Sequence, residues 1–498
     1  MTWSAMIRFV FAAGGWLMCG RVGSLCFAAA ALVQVADLPG GTAAPDPARA
    51  AAAAPEPADT AARLASLREL AVPMRSIDPA DDDFSDLMPL VERIGSARIV
   101  QLGEQSHGDG AAFYAKTRLI RFLHEVMGFD VLAWESGLFD CREVDAALRE
   151  GVPLVEAAER GVFAIWSHSG QVLPLFEYVR STLHTSRPLH TAGFDCQFSS
   201  PATWPRYRAY LIDKLGRPEC NLLTAERLAA LDRILKRLED SANRAGGQND
   251  PGARRAQRLA IEELKATVQR RQTDLLGVLD APEIEFLCRT LQNLLVFEEL
   301  LSQPTSADPA ANNIRDRAMA ENLAWLAERV YPDRKIVVWA ASFHIMRNAP
   351  TVKGVNDETP YDTTVPMGEA VLTRFAGRVY SVAFCAYRGK AGRMYERPSE
   401  LAEAEPGTLE WLLHQLEQPY LFVDFRGLPP EHWLRGPVVA GPLGYSPMRA
   451  DWTQVFDAIM FTDVMFPSTT GGEVPDGVKV RRPESGKQAE PDGGPPPR

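Results

Sequence analysis

The 498-residue chain is 46% hydrophobic and 23% charged, which excludes a disordered chain and a small disulfide scaffold and leaves room for a large core or two domains. Its 53 Lys and Arg against 64 Asp and Glu give a formal charge of −11, so it repels polyphosphate and nucleic acid is not an expected partner. Seven scattered cysteines with no CxxC pair read as isolated thiols, not as a zinc or redox site.

Residues 1–36 form an apolar segment interrupted by Arg21. It is too broken for one spanning helix and has the size and flanks of a signal peptide, although an over-extended start gives the same pattern. Export to the periplasm and a cytoplasmic location both stay open, and membrane contact is expected only if this segment is retained as an anchor. Residues 37–61, rich in Ala and Pro, read as a linker.

From 62 to 466 short β-branched or apolar runs alternate with amphipathic stretches, the pattern of an α/β fold with a mainly parallel sheet and flanking helices. Strands are predicted at Arg98–Gly103, Asp130–Trp134, His190–Gly193, Lys335–Trp339, Arg378–Phe384, Tyr420–Asp424 and Ala458–Thr462. Their interiors lack alternation, as strands covered on both faces do. Helices are predicted at Ala111–Met127, Val172–His184, Arg315–Val330 and Met367–Phe375. Between about 204 and 302 the texture changes to long charged helical stretches, a helical insertion that is either a cap or an external hairpin. From 467 to 498 large apolar residues almost vanish, and a disordered tail is expected.

The chain has no GxSxG elbow, HExxH, GK[ST] phosphate loop or GxGxxG. What remains is positional, because ligands of open α/β sheets sit beyond the carboxyl ends of the strands. Four strand ends carry concentrated polar groups: Gly103-Glu104-Gln105-Ser106-His107-Gly108, Trp134-Glu135-Ser136, Gly193-Phe194-Asp195-Cys196-Gln197, and Trp339-Ala340-Ala341-Ser342-Phe343-His344. Two imidazoles and three carboxylates are expected to converge there. A neutral histidine takes a proton from water while a carboxylate orients its ring, which fits His107 with Glu104 or Glu135. His344 would polarise a carbonyl oxygen or protonate a leaving alkoxide. Arg118, on the next helix, is expected to pair with the site carboxylates or a substrate oxygen, with Asp195 and Gln197 lining the substrate side. Ser106 or Asp109 would cap the helix. Each of these residues also has an ordinary structural role open to it. The spacing matches no recognised metal-ligand pattern, and neither a metal nor another cofactor is expected.

The block Arg98-Ile-Val-Gln-Leu-Gly-Glu-Gln-Ser-His-Gly108, with Arg118-Leu-Ile-Arg121, Gly128-Phe129 and Trp134-Glu135, resembles the opening of the erythromycin esterase family. Gly193-Phe-Asp-Cys-Gln197, Arg315-Asp316 with Met319 and Asn322, Lys335-Ile-Val-Val-Trp-Ala…His344 and Met367-Gly368 follow in that family's order, so the resemblance runs from about Ile77 to Phe466. It implies hydrolysis of a cyclic ester such as a macrolide lactone by histidine-activated water, with roles for His107, Glu104, Glu135 and His344 and a small-molecule ester or lactone as substrate. Many members carry two histidines, three apart, after the fourth strand; here the first is Ala341. The alternative is a non-esterase or non-catalytic member that binds a small molecule in the same crevice.

Overall fold

The computed structural model describes residues 57–200, 202–242, 251–303 and 309–481; the apolar N-terminal segment, most of the linker and the tail beyond Arg481 lie outside them. Twelve strands follow in chain order: β1 (Ala71–Pro73), β2 (Ile99–Leu102), β3 (Phe129–Gly137), β4 (His190–Asp195), β5 (Lys335–Trp339), β6 (Lys353–Gly354), β7 (Val379–Ala391), β8 (Ser399–Leu401), β9 (Tyr420–Asp424), β10 (Val438–Ala440), β11 (Met448–Ala450) and β12 (Ala458–Met465). Nine build one sheet in the order β1-β9-β12-β7-β2-β5-β3-β4, with β8 on β7, while β10, β11 and β6 form a small second sheet. From β12 to β4 every pairing is parallel; β9 joins β12 antiparallel. The fold is α/β, and all seven predicted strands are present, several of them longer than the sequence suggests.

Burial on both faces explains the missing alternation. Val337 and Trp339 of β5 enter one core with Phe113, Leu119 and Ile120 of the Gly110–Glu125 helix, whereas Ile336 and Val338 enter the opposite core with Met319 and Leu323 of the Pro309–Trp325 helix. β2 and β5 are neighbours, yet the chain leaves β2 towards β3 and leaves β5 towards β7. The resulting switch point lies beyond their carboxyl ends, the address at which open α/β sheets hold ligands.

The helices Thr203–Leu215, Ala225–Ala242, Pro251–Arg270 and Ala281–Leu300 have a core of their own, which reaches the α/β part through Leu138 and Phe139. Asn322 donates to the carbonyl of Phe194 on β4 (2.9 Å) and to Asn293 of the insertion (3.1 Å), joining the two parts. Among the described residues no helix is long and apolar enough to cross a membrane.

The tail departs from expectation. Val474, Val478 and Val480 pack against the main core, Ile77 N–H donates to Val480 O (2.9 Å) and the Tyr420 hydroxyl donates to Lys479 O (2.8 Å). Three valines and backbone pairing therefore order the segment up to Arg481 despite its polar composition.

The turn after β2 is clamped on both sides. Ser468 N–H donates to Gly108 O (2.9 Å) and Gly110 N–H to Phe466 O (2.8 Å), and a Cβ on Gly108 would overlap the backbone of Gly392 and Arg393. Backbone cannot yield as a side chain does, so Gly108→Ala is expected to lower stability by about 1–3 kcal/mol through overpacking. A urea midpoint equal to that of the parent protein would refute this.

Candidate active site

Glu104 follows β2 after Gly103 and is fully buried. Its Oε1 accepts from His107 Nδ1 (2.8 Å) and Trp166 Nε1 (3.1 Å), and its Oε2 accepts from Lys116 Nζ (2.6 Å). A carboxylate only accepts, so the His107 proton is placed on Nδ1 and the lone pair on Nε2. Trp166 also sets its ring edge-on to the imidazole at 5.2 Å, fixing the ring from a second direction. Lys116 lies 4.0 Å over the Trp339 ring. Burial pulls the proton affinity of this lysine down, with Glu104 and Glu135 opposing.

Glu135, near the end of β3, belongs to a second group. Its Oε1 accepts from Arg315 (2.8 Å) and lies 3.2 Å from His344 Nε2, and its Oε2 accepts from Ala341 N–H (2.9 Å). Arg315 also grips Asp195 at the end of β4 with two N–H groups, at 3.0 and 2.6 Å. His344 Nδ1 donates to Asp316 (2.9 Å), whose carboxylate accepts in turn from Met367 N–H (2.7 Å).

Burial opposes the imidazolium of His344, but Asp316 and Glu135 outweigh it and push its pKa up to about 10. Burial likewise opposes the charge on Glu135, but His344 and Arg315 hold its carboxyl well below the usual range, with His107 contributing from a distance. His344 Nε2 stands between Glu135 Oε1 (3.2 Å) and Arg315 Nη1 (3.1 Å), so this nitrogen is enclosed by the carboxylate and the guanidinium together. The Asp316 and Glu135 carboxylates thus favour the imidazolium of His344, and both of its ring nitrogens are engaged within the cluster.

The backbone from Ala340 to Ser342 stitches the two groups together. Ala340 O lies 3.4 Å from Lys116 Nζ, Ala341 N–H serves Glu135, and Ser342 N–H donates to Glu104 O (2.9 Å). Position 341 thus contributes its amide to the site in the absence of an imidazole.

Arg118 corrects the sequence reading. It is fully buried on the far side of its helix, where it donates to Asp86 (2.6 and 2.9 Å) and to the carbonyls of Ser76 and Asp83. It anchors the segment before β2 and does not join the strand-end groups. Asp109 occupies the N-cap position but makes no capping bond; its carboxylate instead accepts from Ser106 N–H (2.8 Å) within the turn. Asp195 is engaged by Arg315, and the Gln197 side-chain oxygen is buried without a partner. Burial pushes the Cys196 thiol well up, which leaves no thiolate at this strand end.

Sequence reasoning missed Lys116 and Trp166 and gave Arg315 and Asp316 no role. Lys116 left a signal, since it interrupts the apolar stripe Ala112, Phe113, Leu119, Ile120 and Leu123 of a wholly packed helix. Among the described residues no group of three or more His, Cys, Asp or Glu side chains is arranged to hold a metal ion.

Comparison with known proteins adds a family. The erythromycin esterase family model matches residues 124–465, a span that contains Glu135, Asp195, Arg315 and His344 and begins after the Glu104–His107 turn. The Bacillus subtilis (strain 168) protein YbfO, a provisionally assigned hydrolase, is 26% identical over 420 residues, covering 79% of this chain and 89% of that protein. An Escherichia coli erythromycin esterase type II is 37% identical over 71 residues, 14% of this chain and 17% of its own. Among solved structures, a Bacillus cereus protein aligns with a TM-score of 0.66 at 17% identity, over 82% of this chain and 99% of its own. A succinoglycan biosynthesis protein aligns at 0.65 and 19%, over 84% of this chain and 100% of its own. An erythromycin esterase mutant in its open conformation aligns at 0.60 and 17%, over 80% and 99%.

Proposed function

We infer that this chain, which belongs to the erythromycin esterase family, hydrolyses an ester or lactone bond in a small molecule with water activated by His107. Membership of that family points to a hydrolase. The observation that carries the finer reading is the Glu104–His107 pair: the carboxylate holds Nδ1–H at 2.8 Å and thereby aims the other ring nitrogen as a base. Glu104 then stabilises the imidazolium that forms, and Trp166 and Lys116 keep that carboxylate in place. No nucleophilic side chain is needed, and direct attack by water forms no covalent intermediate on the protein.

Charge narrows the substrate. Lys116, Arg315 and His344 face Glu104, Glu135, Asp195 and Asp316, so the four carboxylates outnumber these three groups and none of the three is left over for a substrate anion. A neutral or cationic ester fits this site better than a carboxylate or phosphate.

Screening the purified protein against lactones and simple carboxylic esters, with and without chelator, tests the reading. Steady hydrolysis without a pre-steady-state burst of alcohol is expected, unchanged by chelator. A folded protein that cleaves none of these esters would overturn it.

A further inference from the structure

The loop 441–447 between β10 and β11 crosses directly over the turn that carries His107. Its start is fastened by Gly441 N–H to the buried Glu410 carboxylate (2.7 Å). Gln105 then bonds it twice, donating its side-chain amide to Gly441 O (2.6 Å) and accepting Gly444 N–H on its backbone carbonyl (3.1 Å). At its end the Tyr445 hydroxyl donates to Asp109 Oδ1 (2.7 Å).

Two features mark this contact as more than packing. Tyr445 has a φ of +62°, in the left-handed region that disfavours a side chain, and residues held there mark constrained, often functional, places. Asp109, which receives its hydroxyl, closes the turn containing His107: Oδ2 accepts Ser106 N–H (2.8 Å) and Oδ1 the Ser106 hydroxyl (3.1 Å).

We propose that Tyr445 and Asp109 are positioning residues for His107, locking the Ser106–Gly108 turn so that the imidazole faces its substrate in one orientation. The proposal rests on the reading of His107 as the water-activating base and adds how that base is held and regulated. Neither residue touches the reacting atoms.

The lock carries an ionisation. Burial, reinforced by the charge of Glu104, pushes the Asp109 carboxyl up to about 7, against the hydrogen bonds from Tyr445 and Ser106. The charged groups that face it are Glu104 after β2 and Lys116 on the following helix; the loop contributes the Tyr445 hydroxyl, and the Phe466–Pro467 side contributes backbone. When Asp109 takes a proton it loses acceptor capacity on the oxygens that hold Ser106 and Tyr445, and the turn loosens. Activity should therefore fall as pH drops through about 7 for a reason separate from His107 itself.

The test uses Tyr445→Phe and Asp109→Asn in the full chain. Tyr445→Phe keeps the ring and removes one oxygen; kcat is expected to fall about tenfold with KM nearly unchanged, the scale of a slightly misplaced catalytic group. The part of its acid limb that belongs to Asp109 should move to higher pH, because that hydroxyl favours the ionised carboxylate, whereas Asp109→Asn should remove that part and leave only the protonation of the base itself. The second reading is the Ser106 amide resonance in ¹⁵N-serine-labelled protein, assigned by its loss in Ser106→Ala, because that N–H donates to Asp109 Oδ2. It should show an inflection near 7 in the parent protein, displaced in Tyr445→Phe and absent in Asp109→Asn. Tyr445→Phe that changes neither pH profile nor resonance overturns the proposal, as does a variant that only melts earlier. If the parent protein cleaves no ester, the resonance alone decides, so failure of the hydrolase reading and failure of this one are told apart. If Asp109→Asn does not fold, Tyr445→Phe decides.

Discussion

His107→Ala is expected to lower kcat/KM for ester hydrolysis by about 10²–10⁴-fold, the usual contribution of a positioned general base, while the protein folds as before. The side chain makes one hydrogen bond, to Glu104, and one edge-on ring contact, with Trp166, while Glu104 keeps Lys116 and Trp166 as partners, so its removal costs local packing and leaves the buried charge paired. His344 cannot take over. Its pKa is pushed up to about 10 and both ring nitrogens are already engaged, one by Asp316 and the other by Glu135 and Arg315, so neither is open to a water molecule. Glu104→Gln should be milder in rate, about ten- to a hundredfold, since the amide oxygen still accepts from Nδ1 but no longer stabilises the imidazolium by charge. It should be worse in stability, because Lys116 would stay buried without its carboxylate. Initial rates on the best ester from the screen, with circular dichroism of each variant, decide between these effects. A folded His107→Ala protein that keeps more than about a tenth of the parent rate would remove His107 from the reaction.

The α/β core was legible because strands buried on both faces carry apolar runs without alternation, as residues 336–339 of β5, 420–423 of β9 and 458–461 of β12 do. The short pieces were not: β1, β6, β10 and β11 have two or three residues each, too few for any period to show. The strand-end rule located Glu104, Glu135, Asp195 and His344 because topology alone sets that address. It could not say which partner each would take, and the Pro309–Trp325 helix supplies Arg315 and Asp316 from a distant part of the chain. Arg118 and Lys116 show where proximity in sequence misleads. Two residues apart on a helix is about 200° of rotation, so one side chain faces the site while the other faces Asp86. Asp109 was expected as a cap from its position alone, but the Ser106 turn and the overlying Tyr445 claim its carboxylate; the first contact is local, a Ser-x-x-Asp pair, and the second, from 336 residues away, has no local signature.

Arg315→Met is expected to destabilise the protein by about 3–5 kcal/mol, the cost of leaving buried charges without their partner. Arg315 donates to Asp195 and Glu135 together, and both carboxylates are fully buried. Methionine fills similar volume, so a cavity accounts for little of the loss and charge for most of it. Restoring neutrality should recover part of the stability: Arg315→Met with Asp195→Asn removes one uncompensated charge along with its partner and should lie closer to the parent than either single change. The pH dependence of unfolding checks the same cluster. His344 is raised from 6.5 to about 10, so its contribution is complete below 6.5, declines as pH rises and is lost past about 10. Glu135 is lowered from 4.5, so its contribution is present above 4.5 and is lost as pH falls further. In the parent protein, urea unfolding should therefore show greatest resistance between these limits, with a decline on the alkaline side that His344→Gln weakens. Arg315→Met that unfolds at the parent's urea midpoint would mean that the Glu135–Asp195–Arg315 contacts do not bear on stability, and with them would go the argument that the cluster favours the imidazolium of His344.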